Sequence, residues 1–141
     1  MPFPEIKHCI ICEDVRLEAD RKVAVLGMYG IAPDVTIYLH DFERPLMRLV
    51  FAMAAHGGGG NFVIETEIKT SAGEKVSSTA SLPVTIARPP GFDKGFFTLI
   101  YLNTKFPKPD KYTFEMVVDG KKMFSTEFTV MKLPAESLPT P

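Results

Sequence analysis

Two alternating stretches near the C-terminus, separated by Asp119-Gly120, constrain the fold of this chain more than any other feature. Large apolar residues occupy every second position of residues 112–118, and the stretch from Phe124 to Val130 alternates in the same way. A period of two places one face of a β-strand on a core. Asp-Gly tolerates the positive φ angles of a two-residue hairpin turn. The sequence therefore predicts a β-hairpin over residues 112–130.

The same alternation recurs along most of the chain, with turn-forming Gly, Pro and Asp residues between the apolar stretches. Counting these stretches gives about eight or nine strands. Because two packed sheets are the usual way to bury so many half-apolar strands, we expect an all-β fold, an immunoglobulin-like β-sandwich, with a β-barrel as the alternative. We expect a single domain over residues 1–133. The Pro-rich residues 134–141 are expected to form a flexible tail.

Three stretches carry more specific expectations. Residues 45–56 are rich in Met, Leu and Ala and could form a helix beginning at Pro45, but the surrounding β pattern favours a strand. Residues 96–102 are apolar on both faces, which predicts a central strand. Residues 76–86 alternate as one strand, and Pro83 within them favours an edge position or a bulge.

Composition and charge restrict the partners and the compartment. The net charge of −1 gives no general attraction to nucleic acid or to an anionic membrane, so neither is expected as a partner. The longest apolar stretch, residues 49–55, is much shorter than the roughly 20 residues of a membrane-spanning helix. Residues 1–13 do not resemble a signal peptide, and two cysteines cannot form a disulfide scaffold. These observations favour the cytoplasm.

Cys9 and Cys12 form a Cys-x-x-Cys pattern inside an apolar stretch. Residues three apart on a strand point to opposite faces and lie roughly 10 Å apart, too far for a disulfide. A zinc site would need more ligands than the chain's few histidines offer by their spacing. We interpret both cysteines as core residues, and we expect neither a metal nor a cofactor.

Gly57 to Gly60 form a run of four glycines. A phosphate-binding loop would continue with Gly-Lys-Ser/Thr and a helix, whereas Asn61 and an alternating stretch follow here. We therefore interpret the run as a flexible loop between strands.

The candidate binding residues are Asp14, Arg16, Glu18 and Phe92. On a strand, the first three would share one face and form weak ion pairs. Paired carboxylates could also perform acid–base chemistry, but no nucleophile or metal set accompanies them, and no catalytic residue is assigned. Phe92 lies in a loop rich in Pro and Gly, as Phe106 does. For both loop aromatics, partner contact and core packing remain open.

The N-terminal part of the chain resembles a family of bacterial proteins of unknown function. The resemblance rests on Cys12-Glu13-Asp14-Val15-Arg16-Leu17-Glu18, on Lys22 and on Leu26-Gly27-Met28-Tyr29. Members of that family similarly have an acidic pair, Val-Arg-x-Glu, a lysine, and an apolar strand ending in Gly-x-Tyr or Gly-x-Phe. The resemblance implies a small β-rich domain and no particular activity. The glycine run departs from the family's usual pattern.

Three functional hypotheses are compatible with these features. The first is a non-enzymatic protein-interaction or structural module whose partner is another protein or a second copy of the chain. The second is a small-molecule or carbohydrate-binding domain with a site near Arg88, Phe92 and Lys94. The third is a hydrolase that uses Asp14, Glu18 or His56, which requires two of these side chains to converge in one cleft.

Overall fold

The computed structural model describes residues 3–79, 81–87, 91 and 93–134. The strands in this part of the chain are β1 (Glu5–Leu17), β2 (Val23–Ile31), β3 (Asp34–Leu39), β4 (Leu46–His56), β5 (Gly60–Lys69), β6 (Lys75–Ser78), β7 (Leu82–Ile86), β8 (Lys94–Thr104), β9 (Asp110–Val118) and β10 (Lys121–Lys132). A short 3-10 helix, Ala19–Arg21, lies between β1 and β2. Within the described ranges, no helix has the length and apolar character needed to cross a membrane.

The strands follow one hydrogen-bonded path in the order β6-β5-β9-β10-β3-β2-β1-β4-β8, and β7 also pairs with β5. We call β8-β4-β1-β2 the first sheet, and β10-β9-β5 with β6 and β7 the second sheet. β3 joins the two, because Asp34 and Val35 pair antiparallel with β2 whereas residues 36–39 pair parallel with β10. The all-β prediction is confirmed, and the nearly closed path of strands fits both a sandwich and a barrel.

The described residues contain ten strands, where the sequence predicted eight or nine. Residues 76–86 form two strands instead of one. Thr79 directly follows the first of them, and its hydroxyl oxygen accepts the backbone N–H of Thr66 at 3.0 Å. Pro83 lies in β7, which pairs with β5 alone among the described strands, so the predicted edge position is confirmed.

The structure confirms the strand predicted at β4 but not the central position predicted for β8. Residues 45–56 are a strand as predicted, and Val50 of β4 lies between Cys12 of β1 and Ile100 of β8. The prediction of a central strand at residues 96–102 is wrong. β8 ends the path of strands, and in the described part of the chain it pairs only with β4.

Aromatic side chains from both sheets fill the space between them. Phe51 of β4 stacks on Phe114 of β9, with ring centroids 4.0 Å apart and planes 12° apart. Tyr101 and Phe128 contact the same Phe51 ring at their edges. All four rings are buried, and complete burial of a phenylalanine contributes roughly 1.5–3 kcal/mol. The interior therefore depends on side chains from four different strands.

A second aromatic group closes one end of the core. Phe106, which follows β8, is buried and packs against Tyr112 with ring centroids 4.9 Å apart, so this loop aromatic is a core residue. Tyr112 donates a hydrogen bond from its hydroxyl to the backbone carbonyl of Lys108 at 2.5 Å. This is the geometry of a tyrosine corner, which pins a loop to the strand that follows it. Phe92 lies outside the described residues.

Cys9 and Cys12 are free, buried, and on opposite sides of β1. Cys9 packs in the core between the sheets, whereas Cys12 packs with Val50 and Ala52 on the outer side of the first sheet. Burial raises the pKa of Cys9 to about 12 and also raises the pKa of Cys12. Both thiols therefore remain protonated at neutral pH.

The glycine run connects β4 to β5, as the sequence predicted. All four residues from Gly57 to Gly60 have positive φ angles, which glycine adopts with little steric cost. The run thereby turns the chain from the first sheet to the second. Of the tail predicted at residues 134–141, only Pro134 belongs to the described part of the chain.

Replacing Tyr112 with phenylalanine tests the tyrosine corner. The variant keeps the buried ring and loses the hydrogen bond to Lys108, so we expect the free energy of unfolding to fall by about 1 kcal/mol in urea denaturation. Tyr38→Phe is the matched control, because Tyr38 is half exposed on β3. Equal stability of the Tyr112→Phe and unaltered proteins would contradict a stabilising role for this hydrogen bond.

The burial of Cys9 and Cys12 predicts slow thiol chemistry. Since the thiolate is the reactive form, a thiol-specific reagent at mildly alkaline pH should label neither residue in the folded protein. As the control, both cysteines should react at once in guanidinium chloride. With a reagent that releases a chromophore on reaction, the absorbance gives the number of reactive thiols. Labelling of the folded protein as fast as that of the denatured chain would show that a cysteine is accessible.

Candidate functional site

The three charged residues expected to pair with one another do not form ion pairs among themselves in the structure. Asp14 pairs with Arg48 of β4 instead, with 3.1 Å between Asp14 Oδ1 and Arg48 Nη2. Arg16 is exposed, and Glu18 lies beyond the end of β1, in the turn that leads to β2. Within the described ranges, no ion pair joins Asp14, Arg16 and Glu18. The partner that sequence reasoning missed comes from a neighbouring strand far along the chain.

The Asp14–Arg48 pair borders an open cleft with a volume of about 540 Å³. The walls come from β1, from the connection between β3 and β4, and from the first residues of β4. Sites for small ligands have volumes of roughly 300–1,000 Å³. Of the candidate binding residues, Asp14 alone lines this cleft.

Asp41 shapes the wall formed by the β3–β4 connection. Its Oδ1 atom accepts the backbone N–H groups of Glu43 and Arg44, both at 3.0 Å. The hydrogen bond from Arg44 holds the pKa of the Asp41 carboxyl below its ordinary value, so Asp41 is ionised at neutral pH. The Arg44 guanidinium lies 3.9 Å from this carboxylate and is largely exposed. Arg44 and Arg48 together place two guanidinium groups at the cleft.

Glu13, on the remaining wall, lies across Gly27 of β2. A Cβ atom at Gly27 would come within 2.7 Å of the Glu13 carboxyl group, and Gly27 has a φ of +60°. Tyr29 donates a hydrogen bond to Glu13 Oε1 at 3.5 Å. Burial and the Glu13 charge raise the pKa of Tyr29 to about 12, so its hydroxyl remains a donor. Gly27 and Tyr29 therefore both position Glu13.

Two of the residues named for a hydrolase, Asp14 and His56, do not converge. Arg48 and His56 are eight residues apart on β4, which is about 26 Å along an extended strand. Asp14, which contacts Arg48, therefore cannot share a cleft with His56. In the described part of the chain, no three His, Cys, Asp or Glu side chains are placed to hold a metal ion.

The second site predicted from the sequence is only partly described. Arg88 and Phe92 lie outside the described residues. Lys94 is exposed at the beginning of β8. The cleft beside Asp14 is formed by other parts of the chain.

Sequence reasoning missed an apolar surface on the outer side of the first sheet. Its outermost strands expose Leu26, Met28 and Ile31 of β2 and Phe96, Ile100 and Leu102 of β8. The middle strands add partly buried Ile10 and buried Cys12, Val50 and Ala52. We call these residues the apolar face. Its one signal in the sequence is the run of residues 96–102 that are apolar on both faces.

The strand register makes the apolar face continuous. Met28 lies opposite Cys12, Cys12 opposite Val50, and Val50 opposite Ile100. Residues directly opposite each other on antiparallel strands have Cβ atoms about 4.5–5.5 Å apart and point to the same side. One unbroken apolar row therefore crosses all strands of the first sheet. A second row contains Ile31, Ile10, Ala52 and Thr98.

The outer side of the second sheet carries charges instead. Lys69 Nζ lies 3.0 Å from a Glu67 oxygen and 3.3 Å from a Glu115 oxygen. Lys122 reaches Glu115 from the neighbouring strand at 3.4 Å. The hydrogen bond to Glu67 raises the pKa of Lys69. Because these partly exposed charged groups are paired with one another, this side of the domain is suited to water, in contrast to the apolar face.

Solved structures show distant similarity to the chain. An immunoglobulin-like protein from Pseudomonas aeruginosa is 12% identical, with 92% of this chain and 97% of that chain covered and a TM-score of 0.36. A DNA-bound alkylpurine DNA glycosylase, AlkC from Pseudomonas fluorescens, is 12% identical over 71% of this chain and 28% of that chain, with a TM-score of 0.41. A glycosyl hydrolase family 2 member from Bacteroides cellulosilyticus is 14% identical over 75% of this chain and 17% of that chain, with a TM-score of 0.43. The chain thus spans less than a third of the glycosylase and less than a fifth of the hydrolase.

No curated protein matches the sequence. A family model, described as a family of unknown function, matches residues 7–131. The matched region contains β1 from its third residue, the other strands of the first sheet, the cleft and the apolar face. The chain therefore belongs to the family of unknown function DUF6941.

Proposed function

We propose that the chain is a non-enzymatic protein-interaction domain that associates with a second copy of itself through the first sheet. The observation that carries this proposal is the continuous apolar face, which contrasts with the charged outer side of the second sheet. Exposed apolar patches that extend over several strands mark interaction surfaces in soluble proteins.

The side chains at the borders of the apolar face gain most from being covered. Met28 is 57% exposed, Ile100 is 42% exposed and Leu102 is 64% exposed. Removing apolar area from water is favourable by roughly 25 cal/mol per Å². The charged residues nearest to Leu102 in the register are Arg48 and its partner Asp14, which already neutralise each other. Association therefore does not require the burial of an unpaired charge at this border.

The cytoplasmic location expected from the sequence is part of this proposal. Cys9 and Cys12 are free thiols, and free thiols are typical of proteins in reducing compartments. The net charge of −1 and the ion-paired second sheet support a protein partner over nucleic acid or a membrane.

Light scattering over a series of protein concentrations tests the proposal. We expect the unaltered protein to form a dimer or larger assembly, and we expect Leu102→Lys to lower the assembled fraction because it places a charge on the apolar face. Met131→Lys is the matched control, since Met131 is a 47% exposed apolar residue of β10. A monomer at every concentration would contradict self-association, and equal losses from both variants would place the contact outside the first sheet.

The cleft beside Asp14 supports small-molecule binding as a second candidate function. Its volume of about 540 Å³ suits a small ligand. The guanidinium groups of Arg44 and Arg48 can donate several hydrogen bonds, and the Asp41 carboxylate can accept them. This combination suits a polar ligand such as a sugar or a carboxylic acid.

A thermal-shift screen with a panel of monosaccharides and small carboxylic acids tests this second candidate. A ligand of the cleft should raise the Tm of the unaltered protein, and Arg44→Ala should abolish that rise without changing the Tm of the free protein, because Arg44 is largely exposed. Lys132→Ala, which alters an exposed charge outside the cleft, is the control. A Tm rise that survives Arg44→Ala would place the ligand elsewhere.

A further inference from the structure

The outer edge of β8 lacks a strand partner among residues 3–79, 81–87, 91 and 93–134. β8 is eleven residues long, and its residues 95–104 contain neither a charged residue nor a proline. β6 of the second sheet comes near β8 without pairing to it, and its four residues are far fewer than the eleven of β8. A long apolar edge of this kind is a template for another strand.

The strands at the opposite end of the path have the protection that β8 lacks. β6 is short, at four residues. β7 contains Pro83, which cannot donate a backbone hydrogen bond. Short edge strands and edge prolines are the means by which proteins prevent edge-to-edge pairing. This difference in edge protection indicates that the edge of β8 pairs with a further strand.

β8 is also held in an extended form ready for pairing, except at Asn103, which has a φ of +53°. Its inner side is anchored by Tyr101, whose hydroxyl hydrogen-bonds to that of Thr66 on β5. On its other edge it pairs with β4 along nearly its whole length, from Lys94 to Thr104. The strand therefore does not need to become ordered when it binds, which lowers the entropic cost of association.

We infer that two copies of the chain pair through β8, antiparallel and across a two-fold axis at Leu99, so that the first sheets of both copies form one continuous sheet. This inference rests on the proposed self-association and identifies the surface that performs it. β8 then becomes a central strand of a sheet that extends through both copies.

The length of β8 sets the register. Leu99 is the midpoint of Lys94–Thr104, so a two-fold axis there gives the longest pairing. Phe96 then lies opposite Leu102 of the second copy, and Thr98 lies opposite Ile100 of the second copy. The exposed apolar side chains of one copy thus cover those of the other. A shift by a single residue would place outward side chains beside inward ones, so competing registers differ by two residues.

Charge complementarity favours the same register. Asp93 and Lys105 flank β8, and both are exposed. With the axis at Leu99, Asp93 of each copy lies opposite Lys105 of the other, and Lys94 lies opposite the uncharged Thr104. Shifting the axis to Thr98 or Ile100 separates these opposite charges. Opposite charges on facing strands are favourable, whereas like charges are not.

Disulfide trapping tests the register directly. The double variant Phe96→Cys with Leu102→Cys should form a covalent dimer under mild oxidation on a non-reducing gel, since the paired Cβ atoms lie within reach of a disulfide bond. The control is Phe96→Cys with Ile100→Cys, which face each other only when the axis lies at Thr98. The native Cys9 and Cys12 are buried and do not compete. Covalent dimers from the control alone would overturn the register at Leu99.

Two lysine substitutions in one row of the sheet separate edge pairing from stacking of the apolar faces. Ile100→Lys lies on β8, whereas Met28→Lys lies in the same row on β2, at the far border of the sheet. Each dimer contains Ile100 twice, so we expect Ile100→Lys to weaken dimerisation by about tenfold or more. Met28→Lys should leave the dimer intact, and circular dichroism verifies that both variants fold.

The outcomes distinguish this inference from the broader proposal. Because both residues lie on the apolar face, a dimer that Met28→Lys dissociates as readily as Ile100→Lys would overturn β8 pairing while leaving self-association through the apolar face standing. A protein that is monomeric at all concentrations would overturn both. Dissociation by Ile100→Lys alone, together with trapping of the Phe96 and Leu102 pair, would support both.

Discussion

The stack of Phe51 on Phe114 joins a middle strand of the first sheet to a middle strand of the second, and much of the interior is arranged around it. Phe51 also contacts Tyr101 and Phe128, so one ring touches side chains of three other strands. Because side chains alternate along a strand, the inward position of Phe51 places Val50 and Ala52 on the opposite side of β4. The same strand thus builds the core and the floor of the apolar face.

β1 repeats this arrangement beside β4. Cys9 and Ile11 face the core, whereas Cys12 packs on the outer side. Strands that are apolar on both faces are typical of sheets covered on both sides, but the second sheet covers only one side of the first. On the other side of the first sheet, Val15 and Val25 pack against the cluster of Cys12, Val50 and Ala52 and cover part of it. The sequence of the first sheet is therefore more apolar than a single folded chain requires.

Local patterns predicted the strands well and their neighbours poorly. The hairpin of β9 and β10 follows from alternation and from Asp119-Gly120, all within one short stretch. The Asp14–Arg48 pair depends on the register between β1 and β4, and its two residues are 34 positions apart in the sequence. For this reason Asp14, Arg16 and Glu18 were expected to pair with one another. Pairing over such separations is decided by the packing of the whole core.

The wrong position predicted for β8 has a different physical origin. Apolar residues on both faces of a strand indicate that both faces are covered. They do not indicate how many strands lie beside it. In the single chain, β8 has one strand neighbour among the described residues and an exposed outward row at Phe96, Ile100 and Leu102. A second copy of β8 would supply a neighbour and would shield that row. The apolar outward row of β8 is therefore compatible with its place at an edge when two chains pair through that edge.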